Sequence, residues 1–112
     1  MTTQMQFARQ GIVTEAMKLV AAQENVSEEF IRQGVVQGTI AICCNRNHKN
    51  LKPCGVGQGL RVKVNANIGT SSSFPCIEPE LVKLQAAIDA GVDAVMDLST
   101  GDNITASRRA II

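Results

Sequence analysis

Asn65, Asn67, Met96 and Asp97 are the residues of this 112-residue chain whose types and spacing best suit the binding of a small molecule. An asparagine amide offers two donors and an acceptor, which suits a neutral polar heterocycle or a sugar hydroxyl. A methionine thioether offers a soft, adaptable contact to a ring. Gly69 and the hydroxyl-rich run Thr70-Ser71-Ser72-Ser73 follow the two asparagines, and Ser99, Thr100 and Gly101 follow Asp97. Each residue also has a structural role open to it. The asparagines can bond the backbone of the loop that follows, Met96 can pack in a core, and Asp97 can cap or brace the next loop.

Other chemistry-bearing residues point less sharply. Cys43, Cys44, Cys54 and Cys76 do not make the two close pairs that a tetrahedral zinc site takes from two chain segments. A disulfide framework fits a secreted chain, and nothing here resembles a leader peptide. The thiols read first as structural or incidental, ahead of a metal site or a redox role. No Ser/His/Asp or Cys/His set is identifiable, and His48 reads as a loop histidine. The G-x-G-x-G run Gly55, Gly57, Gly59 leads into a strand rather than opening a helix. A nucleotide loop does the reverse, so a flexible connector is the better reading.

The elements that must position Asn67 and Met96 are legible as patterns. Thr14 reads as an N-cap with Glu15 in the first turn, and Met17, Val20 and Ala21 share the buried face up to about Asn25. Ser27 caps a second helix with Phe30, Ile31 and Val35 on its apolar side, and Gly38 stops it. Residues 39–43 form a short β-type run, and Asn45 to Gly59 reads as loop. Leu60 to Ile68 alternates at period two, with Leu60, Val62, Val64, Ala66 and Ile68 on one face and Arg61, Lys63, Asn65 and Asn67 on the other. A helix is expected from Glu78-Pro79 with Leu81, Leu84 and Ile88 on one stripe, closed by Gly91. Val92 to Leu98 is a second strand, and a last amphipathic stretch runs from about Ile104 to Ile112. Strand, helix, strand implies parallel strands, because a helical crossover is needed to join them. Ligands of parallel β/α proteins meet the carboxyl ends of the strands, which is where Asn67 and Met96 fall. The expected fold class is α/β: a small, mainly helical region over residues 1–59, then the front part of a larger β/α structure over residues 60–112. Two strands make an incomplete sheet, and no stop signal ends the last helix.

Composition narrows the function classes. Forty-five per cent of the residues are apolar, with three Phe and neither Tyr nor Trp, so the core is aliphatic. Eleven basic against ten acidic residues give a net charge of +1, which argues against nucleic-acid binding driven by clustered positive charge. Arg46, His48, Lys49 and Lys52 are the closest approach to a basic cluster and read as a solvated loop. No apolar run approaches the roughly 20 residues of a membrane span. A cytoplasmic protein without a membrane partner is expected.

At the two strand ends the sequence resembles a known family. Val62-Lys63-Val64-Asn65-Ala66-Asn67-Ile68-Gly69-Thr70-Ser71 resembles the K-x-N-A-N-I-G-x-S signature of phosphomethylpyrimidine synthases, and Val95-Met96-Asp97-Leu98-Ser99-Thr100-Gly101 matches the family's V-M-D-L-S-T-G. Thr3-Gln4-Met5, Ala8-Arg9, Gly11-Ile12, Asn47-His48 and Leu51-Lys52-Pro53 look like its N-terminal segment. The resemblance covers essentially the whole chain. It departs at Asp102-Asn103-Ile104-Thr105-Ala106-Ser107 and resumes at Arg108-Arg109-Ala110-Ile111-Ile112.

The resemblance implies that residues 60–112 are the first two units of a (β/α)8 TIM-type barrel. It implies a radical S-adenosylmethionine enzyme in which a 4Fe-4S cluster generates a 5′-deoxyadenosyl radical. That radical rearranges 5-aminoimidazole ribonucleotide to 4-amino-5-hydroxymethyl-2-methylpyrimidine phosphate for thiamine. It also implies zinc in the full-length enzyme, a homodimer, and contact of Asn67 and Met96 with the imidazole ribonucleotide, with Asn65 a weaker candidate. The family's cluster cysteines and zinc histidines match none of the residues here, so no catalytic, cofactor or metal residue is expected in this chain. A fragment that is inert alone is the expectation. The paralogous 5-hydroxybenzimidazole synthase, of anaerobic cobalamin synthesis, shares these motifs, and a non-catalytic interaction module is the rival from another class.

Overall fold

The computed structural model describes residues 2–48 and 51–112. Lys49, which the basic loop cluster includes, lies outside the described residues. The chain is a mixed α and β structure in two compact units, residues 1–62 and 63–112.

The first unit holds helix α1 (Gln4–Arg9), helix α2 (Glu15–Glu24), helix α3 (Glu28–Gln37), and strands β1 (Ile40–Cys43) and β2 (Cys54–Gly57). Thr3 caps α1 reciprocally with Gln6: each side chain takes the other residue's backbone N–H. Thr14 and Ser27 cap α2 and α3 as their types suggest, accepting from Met17 N and Phe30 N. Asn25 and Gly38 end those helices in the left-handed conformation. The helices bury Ala8, Met17, Val20, Ala21, Ile31 and Val35 against Ile40 of the hairpin, an aliphatic core as the composition requires. Phe30, expected on the apolar side, is 42% exposed. Arg32 Nη1 donates to Ala8 O at 2.7 Å and ties α3 to α1.

The glycine run is a correction. Residues 54–57 are not a connector but strand β2, antiparallel to β1 with Ile40 opposite Gly57 and Ile42 opposite Gly55. The glycines permit close packing. A Cβ on Gly57 would collide with Thr39 O and come within 2.7 Å of Ile40 Cα, and one on Gly55 would overlap Val20. Low β-propensity hid the strand, since glycine contributes no side chain to the pattern.

The second unit holds strand β3 (Asn65–Ile68), helix α4 (Glu78–Asp89), strand β4 (Ala94–Asp97) and helix α5 (Ile104–Ile111). β3 and β4 are parallel, as the crossover through α4 demands. Both strands are shorter than their sequence alternation. Below Asn65 the partner chain is the turn at Asp93, whose Oδ2 accepts from Val64 N at 2.8 Å and whose N–H donates to Val64 O at 2.9 Å. Among the described residues no strand pairs with Val62, which is 83% exposed. In α4 proline sits at the second helical position, where its missing N–H still costs nothing. Leu81 and Leu84 are half-buried, but Ile88, expected on the same stripe, is 54% exposed. Among the described residues, no helix is long and apolar enough to cross a membrane.

Candidate functional site

The carboxyl ends of β3 and β4 are held by a dense set of polar contacts. Leu98 N–H donates to Ile68 O at 2.7 Å and Thr100 N–H to Thr70 O at 2.8 Å, so the two chains stay joined beyond the formal ladder. Gly69 lies where they approach closely. Its φ is 152°, and a Cβ added there would lie 2.5 Å from Ser99 N, which leaves no room for a side chain.

Three residues brace this end. Asp97 Oδ1 accepts from Ser99 N at 3.0 Å and from Ser99 Oγ at 2.5 Å, the loop-bracing role that its type allowed. Ser99 Oγ accepts in turn from Thr70 N at 3.1 Å and lies 3.2 Å from the buried Ser107 Oγ. Glu80, 2% exposed, receives Gly69 N–H on Oε2 and Lys83 Nζ on Oε1, both at 2.7 Å. The Lys83 ammonium and then the Gly69 N–H hold its carboxyl below the usual range, against burial and the Asp97 charge. The hydrogen bonds to the carboxylate outweigh the desolvation that its burial brings.

Asn67 and Met96 are opposite each other on one rung of the parallel ladder, and so are Asn65 and Ala94. Successive residues of a strand alternate faces, so these four share one side. It is the outer side: Asn65, Asn67, Ala94 and Met96 are exposed, whereas Ala66, Ile68, Val95 and Asp97 on the opposite side are half-buried or buried. Asn65 Nδ2 donates to Asn67 Oδ1 at 2.7 Å. That bond engages the carbonyl end of the Asn67 amide and leaves its NH2 as a donor for another acceptor. Met96 is 50% exposed beside it. Sequence reasoning thus named two residues that the strand pairing brings together.

The pair lies on an exposed face. A cleft of about 400 Å³ lined by Phe74, Pro75, Cys76 and Pro79 lies beside α4, and one of about 310 Å³ lined by Phe30, Gln37 and Gln58 lies in the first unit. Asn67 and Met96 line neither.

Sequence reasoning missed Glu80 and Ser107. An acidic residue in a first helical turn is ordinarily a solvated partner of the helix dipole. Nothing in its type separates that from a buried clamp eleven residues after Gly69. His48 forms a local turn with Asn45, its backbone N–H on Asn45 O and its ring 3.3 Å from Asn45 Nδ2.

A parallel β/α unit thus carries an amide-thioether rung on its exposed face, beside a braced carboxyl end. The model of the Radical SAM ThiC family matches residues 3–112. Phosphomethylpyrimidine synthase of Desulforamulus reducens is 61% identical over 110 residues, which is 98% of this chain and 26% of that protein. The phosphomethylpyrimidine synthases of a Thermoanaerobacter species and of Geobacter metallireducens are 58% and 56% identical, over 98% and 99% of this chain and 26% of theirs. The chain belongs to the Radical SAM ThiC family. It spans about a quarter of the length of the curated relatives it matches.

Family membership implies a 4Fe-4S cluster and S-adenosylmethionine in the full-length enzyme. The residues present do not fit a cluster, which needs converging thiolates. Among the described residues no three of His, Cys, Asp and Glu gather to hold a metal ion. Cys43 and Cys54 face each other in the hairpin, while Cys76 belongs to the other unit.

Proposed function

We propose that residues 60–112 form the first two units of a (β/α)8 barrel of a phosphomethylpyrimidine synthase, with Asn67 and Met96 contacting the imidazole ring of 5-aminoimidazole ribonucleotide. The observation that supports this reading is the opposition of Asn67 and Met96 on the outer face of a parallel pair, at its carboxyl end. The Asn67 NH2 donates to an acceptor on the nucleotide, and the Met96 thioether packs on the flat ring. The barrel reading is supported by the exposure of Val82 (70%) and Ile88 (54%), apolar residues of α4 that further units would cover.

On this reading the full-length protein is a cytoplasmic homodimer. It converts 5-aminoimidazole ribonucleotide to 4-amino-5-hydroxymethyl-2-methylpyrimidine phosphate in thiamine synthesis. This chain's part is to bind and orient the substrate ring. The cluster, S-adenosylmethionine and zinc are held by other residues of the enzyme, so the 112-residue polypeptide is inert alone. After iron–sulfur reconstitution the purified chain forms no 5′-deoxyadenosine from S-adenosylmethionine; its formation would overturn that part of the reading.

The substrate contact is tested in a chimaera. This chain replaces the matching 110-residue stretch of the Desulforamulus reducens enzyme, where 61% identity favours correct assembly. The chimaera turns over 5-aminoimidazole ribonucleotide, and Asn67→Ala or Met96→Ala raises its KM about tenfold, the effect of one lost contact of roughly 1.4 kcal/mol. A KM that neither substitution moves contradicts the proposal.

A further inference from the structure

Cys43 and Cys54 are register partners in the β1–β2 hairpin. They lie on its outer side with Ala41 and Val56, while Ile40, Ile42 and Gly55 fill the core side. Gln58 N–H donates to Thr39 O at 3.0 Å, one rung beyond the Ile40–Gly57 pair. Bonded and non-bonded rungs alternate along an antiparallel ladder, so the Cys43–Cys54 rung is of the bonded type, with Cα atoms roughly 5.5 Å apart. Disulfides bridge Cα separations of about 4.4–6.8 Å with Cβ atoms about 3.5–4.5 Å apart, so closure on a bonded rung draws the two Cβ atoms together and makes a strained, readily reduced bond. Both thiols are free, Cys43 exposed and Cys54 half-buried. Cys44 is one residue out of register with Cys54, and Cys76 belongs to the other unit.

We propose that Cys43 and Cys54 are a reversible dithiol site that takes small-molecule disulfides of the glutathione class. This site is independent of the substrate reading. The exposed Cys43 thiolate attacks the small disulfide, breaks its S–S bond, forms a mixed disulfide and releases one small thiolate. The Cys54 thiolate then attacks Cys43 Sγ of that mixed disulfide and displaces the second small thiolate. Two protein thiols are oxidised to one disulfide, one small disulfide is reduced to two thiols, and the two protein protons pass to the departing thiolates. Transient, redox-responsive disulfides are the kind that a reducing compartment allows.

The test equilibrates the purified chain with reduced and oxidised glutathione over a range of ratios, blocks the remaining thiols, and reads intact and peptide masses. The expected product is lighter by two hydrogens, keeps two blockable thiols, and joins the peptides of Cys43 and Cys54. Closure is expected at an oxidised fraction on the order of tenfold lower than in urea, because the hairpin raises the effective concentration of one thiol at the other. C44S and C76S keep the closure, whereas C43S and C54S stop at a mixed disulfide. The combined variant C44S/C76S retains the proposed pair alone and decides the matter even if C43S or C54S disturbs the fold. A native closure ratio equal to that in urea, or a bond from Cys54 to Cys44 or Cys76, overturns the proposal.

Discussion

Replacing Glu80 with alanine loosens the carboxyl ends of β3 and β4 without disturbing the first unit. Glu80 is 2% exposed and accepts Gly69 N–H at 2.7 Å, beside a close approach of the two chains. Its removal takes away a hydrogen bond to a charged acceptor and strands a covered backbone donor, each an effect of about 1–3 kcal/mol that overlaps the other. Lys83 is 59% exposed at its side chain, so that ion pair adds little. The sum is about 2 kcal/mol for Glu80→Ala, and about 1 kcal/mol for Glu80→Gln, which keeps an oxygen for Gly69. Amide hydrogen exchange of Leu98 and Thr100, whose N–H groups bond Ile68 O and Thr70 O, reads this directly. Their protection factors fall about thirtyfold in Glu80→Ala, since 1.4 kcal/mol is a factor of ten. Thr39 N–H, bonded to Gly34 O in the first unit, is the control and keeps its protection. The Glu80 carboxyl is depressed in the folded chain, so its contribution is complete above the ordinary carboxyl range near pH 4.3 and is lost as pH falls through the lower folded value. The gap between wild type and variant therefore narrows below about pH 4. A fall of less than about threefold at Leu98 and Thr100, or an equal fall at Thr39, refutes the reasoning.

Gly69→Ala forces a Cβ to within 2.5 Å of Ser99 N at a φ of 152°, and exchange at Leu98 and Thr100 then shows a loss of about 2 kcal/mol. Protection equal to wild type would mean that this approach has slack. Met17 is fully buried among the helices, so Met17→Ala lowers stability by about 2–5 kcal/mol, measured by urea unfolding followed by circular dichroism because the chain has neither Trp nor Tyr. Hydrogen bonds from Arg32 and then Gln33 hold the Glu29 carboxyl at about 2. Arg32→Gln returns its NMR titration toward the ordinary carboxylate range, and an unchanged midpoint contradicts that cause. The pair's contribution is present at neutral pH and disappears as pH falls through about 2.

The helical half was legible because caps and buried positions are local signals. Thr14, Ser27, Asn25 and Gly38 bound α2 and α3 where their types suggest, and Met17, Val20 and Ala21 are buried together. Strand β2 was illegible because Gly55 and Gly57 leave no apolar alternation, and their reason is close contact with Val20 and Thr39 across the fold. The limits of β3 were illegible for a related reason. Leu60 to Val64 alternates, but a strand needs a partner, and pairing with β4 begins at Asn65. Asn67 and Met96 were legible as strand-end residues, and their opposition follows from the register. Glu80 was not, because burial of a carboxylate depends on a loop eleven residues earlier in the chain.

A crystal structure of the chimaera with 5-aminoimidazole ribonucleotide tests the central claim most directly. The imidazole ring is expected to lie against the Met96 thioether, with a polar atom of the nucleotide within hydrogen-bond distance of the Asn67 amide. A nucleotide seated away from this rung, or touching one of the two side chains while the other faces elsewhere, would contradict it.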